Sequence, residues 1–161
     1  MARRIGIITG VQEEADAFLP GQFAAIDQHG AFSIRRLVHG GHDIAITCCG
    51  IGKVNAALAA TMLAMRYACD LLMIIGTAGK IGDHSGDCFY IHEAVQNDYG
   101  ARRPDGFAHY RGGSWPIGPA DTTPFCAMAA PHCDLPRARI ATGDAFIECP
   151  AHARDMAAQL G

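Results

Sequence analysis

Apolar residues fall along the chain in short blocks separated by glycine-marked turns. Ile5-Gly6-Ile7-Ile8 is an apolar run rich in β-branched residues that closes on Thr9-Gly10, the pattern of a strand buried on both faces. Gln12 to Leu19 follows as a short helix stopped by Pro20-Gly21. Three further strands are expected over Phe23–Ile26, Phe32–Val38 and Asp43–Cys48, separated by His29-Gly30 and Gly40-Gly41 as a meander requires.

Gly50 to Gly52 interrupts this pattern. Val54, Leu58, Met62, Met65 and Cys69 then recur at three- and four-residue spacing, which predicts a helix with one apolar stripe set among alanines. Leu71 to Ile75 reads as a second fully buried strand ending at Gly76. Strand, helix, strand in this order is a βαβ unit, so part of the sheet is expected to be parallel. Residues 99–124 are so dense in glycine and proline that regular structure is not expected there. Ala138–Thr142 reads as a returning strand and Ala151–Leu160 as a final helix.

Composition narrows the function classes. The chain has 161 residues, 50% of them hydrophobic and 18% charged, which excludes a disordered chain and suits one domain. Net charge is −3 and the 13 basic residues are scattered, so neither a nucleic-acid footprint nor an anionic-membrane footprint is present. The seven cysteines are an odd number with no C-x-x-C pair, arguing against a disulfide scaffold and a structural zinc site. Arg3 and Arg4 precede only four apolar residues, too few for a signal peptide, and no run approaches the roughly 18 apolar residues of a membrane span. A reduced cytoplasmic protein without metal or cofactor is expected.

The candidate chemistry sits on turns that follow apolar strands: Thr9-Gly10, Cys49-Gly50-Ile51-Gly52 and Gly76-Thr77-Ala78-Gly79. In open α/β sheets ligands bind at the carboxyl ends of strands, where such turns gather. Gly50-Ile51-Gly52-Lys53 also opens a helix whose amides would face a polar ligand group. It is not a P-loop, because Thr47 and Val54 stand where glycine and Ser/Thr are needed, and Asn55 breaks a dinucleotide fingerprint. Glu13 and Glu14 open the first helix. They either complement its dipole or supply one general base that deprotonates a water. Phe146, after the turn Thr142-Gly143-Asp144-Ala145, is either core or a stacking surface for a flat heterocycle. The eight histidines form no metal spacing, and His132-Cys133 alone is weak.

Taken together, Ile5–Ile8 with Glu13-Glu14, then Gly50-Ile51-Gly52-Lys53-Val54-Asn55-Ala56-Ala57, then Gly76-Thr77-Ala78-Gly79, then Thr142-Gly143-Asp144-Ala145-Phe146-Ile147 resemble the methylthioadenosine/S-adenosylhomocysteine nucleosidases of the nucleoside phosphorylase superfamily. The resemblance runs from residue 4 to about residue 150. It implies a three-layer α/β/α sandwich around a mixed central sheet, and cleavage of the N-glycosidic bond between adenine and a 5′-thio-substituted ribose. By position, Glu14 matches the carboxylate that activates the attacking water. Ile51, Thr77, Ala78 and Gly79 match positions around the nucleoside, Phe146 the purine-stacking ring, and Ile147 the backbone that reads the purine edge. The implied partner is a small-molecule purine nucleoside, in a homodimer or higher homo-oligomer.

Phosphorylases of the superfamily carry a Gly-Asp-Pro type loop and arginines where this chain has Thr9-Gly10-Val11-Gln12-Glu13-Glu14. A carboxylate there repels phosphate and suits water, so hydrolysis is expected, with phosphorolysis or an inactive nucleoside-binding module as alternatives. Lys80 replaces the usual glycine, and Gln96-Asn97-Asp98-Tyr99 follows the family's His-Asp pattern only loosely, which keeps a futalosine-type or other purine nucleoside open. Family members continue with a Met-Glu motif for the ribose and a Ser-Asp motif that protonates the purine. The chain reaches Gly161 before either, so the single domain spanning 1–161 is expected to be C-terminally incomplete.

Overall fold

The computed structural model describes residues 2–23, 25–130 and 133–160. Ala24 of the expected second strand and His132 of the His132-Cys133 pair therefore lie outside the described residues. The chain divides into two compact units, Met1–Ala78 and Gly79–Gly161.

The first unit contains β1 (Arg4–Thr9), α1 (Gln12–Ala17), β2 (Ala25–His29), β3 (Phe32–His39), β4 (His42–Cys48), α2 (Lys53–Arg66) and β5 (Leu71–Ile74). Its sheet has the order β2-β3-β4-β1-β5. β2, β3 and β4 form the expected meander of antiparallel hairpins, and β1 runs parallel to both β4 and β5. The sheet is thus mixed, with β1 in the middle of its parallel part. The β3–β4 turn pairs His39 with His42 across Gly40 and Gly41, both at positive φ. A two-residue hairpin with that twist requires both central residues in this region, which is why two glycines stand there.

Alternation along the strands builds the three layers. Ile7, Leu37, Ile44 and Ile46 face one side and bury Ala15 of α1. Ile8, Ile34 and Ala45 face the other and bury Ala59 and Leu63 of α2. Arg35 of β3 pins α1 through a 2.6 Å ion pair with Asp16. A mixed α/β arrangement of helix, sheet and helix is therefore present in this unit alone, as the family resemblance implies.

The face that α2 turns inward is only partly the expected one: Met62 packs against the buried cluster, as does Cys69 just beyond the helix, but the rest of the stripe does not. Leu58 is 55% and Met65 81% exposed, and Val54 is exposed as well, whereas Ala59 and Leu63 are fully buried. The reason lies in the strand beneath. A Cβ on Gly6 would stand 2.7 Å from Leu72 Cδ2 and 3.1 Å from Leu63 Cβ, so the helix has settled close against a glycine, and small or well-fitted side chains occupy the contact. In an alanine-rich helix, close approach outweighs the position of the largest apolar residues. Gly6→Ala is accordingly expected to destabilise the protein by about 1–3 kcal/mol through overpacking, read as a lowered urea midpoint.

The second unit holds β6 (Tyr90–Gln96), β7 (Gly100–Arg103), β8 (Gly106–His109), β9 (Phe125–Cys126), β10 (Arg137–Thr142) and α3 (Pro150–Leu160). β10, β6 and β9 form a three-stranded sheet, with β6 parallel to β10 and antiparallel to β9. Met156 and Leu160 of α3 pack on Val95, with Ile81, Ala141 and Ile147 around them. The glycine- and proline-rich stretch is not irregular throughout, because β7 and β8 form an antiparallel hairpin within it. Arg103-Pro104-Asp105-Gly106 is itself a turn signature, so here the breakers mark a hairpin tip instead of the end of order. β6 is legible only in hindsight, since His92 and Glu93 interrupt its apolar run.

Candidate functional site

In the first unit the parallel strands β4, β1 and β5 all end on the same edge of the sheet, and the turns leaving them meet there. Pairing continues past the strand ends, with Cys49 N donating to Thr9 O at 2.9 Å and Ile75 N to Ile8 O at 3.1 Å. Thr9 is fully buried and its hydroxyl donates to Val11 O at 3.1 Å, which sets the path from β1 into α1.

That path places Glu14 at the third position of α1, with its side chain folded back beneath the first turn. Glu14 Oε2 accepts from Gly10 N at 2.9 Å and Val11 N at 3.2 Å. Oε1 accepts from Thr77 N at 2.8 Å and Thr77 Oγ1 at 2.9 Å. One carboxylate therefore ties the end of β1 to the turn after β5, 63 residues away. A Cβ on Gly76 would lie 3.0 Å from Oε1 and 3.1 Å from Oε2, so the glycine there makes room for the carboxylate. Of the two acidic residues, Glu14 is the one turned inward, while Glu13 stands exposed in the first turn. Partial burial pushes the Glu14 carboxyl upward, but the Thr77 amide, the Val11 amide, the Thr77 hydroxyl and the Gly10 amide together outweigh it and hold it below its ordinary range. The group is a pre-oriented anion with its geometry set by backbone.

The turn after β4 carries Ile51 outward at its apex, strongly exposed. Gly50 and Gly52 both have positive φ, Gly52 being the residue that caps α2. Asn55 Nδ2 donates to Ile51 O at 3.1 Å and closes the turn from the helix side. Cys48 and Cys49 sit at its base. Burial pushes the Cys49 thiol up, with neighbouring Cys48 adding to it, so the thiol stays protonated. Ala78 lies exposed at the end of this unit.

The remaining expected residues belong to the second unit. Gly79 opens it, with no atom within 4 Å of a built Cβ. Phe146 is 89% exposed, an aromatic ring that its own unit does not use as core. Ile147, by contrast, turns its side chain onto the Val95–Met156–Leu160 cluster. The turn that carries Phe146 is held by Asn97 and Asp98. Asn97 N donates to Thr142 O at 2.9 Å, and Asp144 N donates to Asp98 Oδ2 at 2.8 Å. A Cβ on Gly143 would clash with Asn97 Oδ1, which explains the glycine.

Within the first unit the structure thus brings Glu14 and Thr77 into contact, which the sequence reading did not anticipate, having set Thr77 against substrate. The donation from the Gly10 and Val11 amides to Glu14, and from Asn55 to the Ile51 carbonyl, leaves no signal in the sequence pattern. Among the described residues no cluster of three His, Cys, Asp or Glu side chains is arranged to hold a metal ion, and no helix is long and apolar enough to cross a membrane.

The model of the phosphorylase superfamily matches residues 4–161. The chain belongs to the phosphorylase superfamily. Within it, this superfamily member is similar to the 5′-methylthioadenosine/S-adenosylhomocysteine nucleosidase of Mycobacterium bovis, with 29% identity over 123 residues that make up 73% of this chain and 47% of that protein. The chain spans about half the length of such curated relatives. Its fold superposes on the S-adenosylhomocysteine nucleosidase of Streptococcus pyogenes with a TM-score of 0.76, 19% identity, and coverage of 99% of this chain and 70% of that one. The futalosine hydrolase of Helicobacter pylori gives a TM-score of 0.74 at 19% identity, covering 98% of this chain and 76% of that one.

Proposed function

We propose that this superfamily member is a purine nucleosidase that hydrolyses the N-glycosidic bond of methylthioadenosine- or S-adenosylhomocysteine-like nucleosides and releases adenine. The observation that carries the reading is the Glu14 carboxylate, held ionised at the carboxyl ends of β1 and β5 by Gly10, Val11 and Thr77. Cleavage of an N-glycosidic bond passes through an oxocarbenium-like transition state, and a fixed negative charge favours the developing positive sugar over the neutral ground state. The same anion, placed where a phosphorylase would need cationic groups, discourages phosphate and suits water. Glu14 is the catalytic carboxylate in this reading. Ile51, Thr77, Ala78 and Gly79 line the nucleoside, Phe146 stacks on the purine, and the Ile147 backbone reads its edge.

The family match running unbroken from residue 4 to 161 supports reading the two units as parts of one domain. Free cysteines throughout the described residues suit the reducing cytoplasm, and a homodimer or larger homo-oligomer is the assembly we assign. The test is adenine release from methylthioadenosine in phosphate-free buffer, with S-adenosylhomocysteine and futalosine as competing substrates. Release independent of phosphate supports the reading. A strict requirement for phosphate with a sugar-1-phosphate product, or nucleoside binding without turnover, overturns it.

A further inference from the structure

The hydrogen bonds around Glu14 leave a question of capacity. An ionised carboxylate offers about four lone-pair sites. Four donors already point at this one: Gly10 N and Val11 N at Oε2, Thr77 N and Thr77 Oγ1 at Oε1. A water that approached Glu14 directly would have to displace one of them, and losing a partner costs an amide about 1–3 kcal/mol where it is shielded from solvent. Three of the four donors are backbone amides, which accept nothing. The fourth is a hydroxyl. While Thr77 Oγ1 gives its single hydrogen to Glu14, its own lone pairs remain available to accept another, and Thr77 lies on the exposed side of the turn.

We propose that the attacking water binds to Thr77 Oγ1 and that its proton reaches Glu14 through the Thr77 hydroxyl. The inference rests on the nucleosidase reading and assigns Thr77 a proton-transfer role in it, in addition to the nucleoside contact. The step balances as follows. The water oxygen bonds to the anomeric carbon while the glycosidic electron pair leaves with the purine. One O–H bond of the water breaks and its proton goes to Thr77 Oγ1. The hydrogen already on Oγ1 moves to Glu14 Oε1, leaving a carboxylic acid and a regenerated hydroxyl. A weakly basic carboxylate suffices, because the water grows more acidic as its oxygen bonds to the oxocarbenium-like carbon, and both proton transfers accompany that bond formation.

Thr77→Val and Thr77→Ser separate this role from packing. Valine keeps the size and the backbone N–H bond to Oε1 but removes the hydroxyl; serine retains it. With the full chain and methylthioadenosine, Thr77→Val is expected to lower kcat by about 100-fold or more with KM changed only a few-fold, and Thr77→Ser to recover most of the rate. A proton inventory in mixed H2O and D2O should be bowed for wild type, as two transfers in one step require, and linear for a residual single transfer in Thr77→Val. Wild-type release of adenine with an unchanged kcat in Thr77→Val overturns the relay and leaves the nucleosidase reading standing. Failure of serine to rescue assigns Thr77 to packing and also overturns it. No adenine release from wild type overturns both. Independently of turnover, the 13C carboxyl titration of Glu14 should move upward in Thr77→Val, and an unchanged titration removes the hydroxyl contact on which the relay stands.

Discussion

Glu14→Gln is expected to lower turnover of methylthioadenosine by about 10²- to 10⁴-fold while leaving nucleoside binding in place. Glutamine matches the shape of the side chain, so the loss measures charge and basicity, not space. One of its two terminal atoms becomes an N–H donor, and every direction around the native carboxylate is already occupied by a donor from Gly10, Val11 or Thr77. The amide therefore faces at least one donor with a donor, and the negative charge that favours the oxocarbenium-like state is gone. Adenine release measured beside calorimetric binding of methylthioadenosine checks both halves. A rate unchanged from wild type removes Glu14 from the mechanism.

The same carboxylate makes a pH prediction with a definite sign. Its folded-state titration lies below the ordinary carboxylate range because the net effect of its four donors exceeds that of burial. The stabilisation from these bonds is complete above the ordinary range and is lost as pH falls through the lower, folded-state value. The Tm of wild type should therefore converge on that of Glu14→Gln as the solution is acidified through this window, and stay apart from it at neutral pH.

Leu63→Ala is expected to cost about 2–5 kcal/mol, a large part of the ~5–15 kcal/mol that holds a typical domain folded. Leu63 is fully buried, and Ile8, Ile34, Ala45 and Ala59 share its cluster. Truncation leaves a cavity over Gly6, where the strand has no side chain to fill it. Leu58→Ala, about 1.4 turns away on the exposed side of α2, is expected to change stability by no more than about 0.5 kcal/mol. Urea denaturation of the two variants decides which face of the helix is inside, and equal losses would contradict the packing described above.

That pair of variants also marks where sequence pattern stops being informative. Val54, Leu58 and Met65 form the more conspicuous apolar stripe, yet they stand exposed. Periodicity identifies a helix and its approximate ends; in an alanine-rich helix it does not identify the buried face, because that depends on how closely the opposing strand permits approach. Gly6, read alone, is one small residue in an apolar run. Only with α2 lying across it does its missing side chain become the reason for the packing.

The hairpin at Gly100–His109 makes the complementary point. Pro104, Asp105 and Gly106 were legible as turn residues, but the density of breakers around them hid two short strands whose apolar content is slight and whose order comes from pairing with each other. Backbone pairing between polar segments leaves almost no trace in composition.

By itself the sequence determined the local features: β1 from its β-branched run, the β2–β4 meander from its glycine turns, the β4–α2–β5 order, and the acidic pair at the start of α1. Those depend on neighbours within a few residues, where conformational preference and hydrophobic period act directly. Tertiary structure alone decided that Thr77 supplies two of the four hydrogen bonds to Glu14 across 63 residues, and that the missing side chain of Gly76 leaves the space beside the carboxylate. A carboxylate becomes a pre-oriented anion only when donors from separate strand ends converge on it, and that convergence is a property of the parallel sheet, not of any one segment.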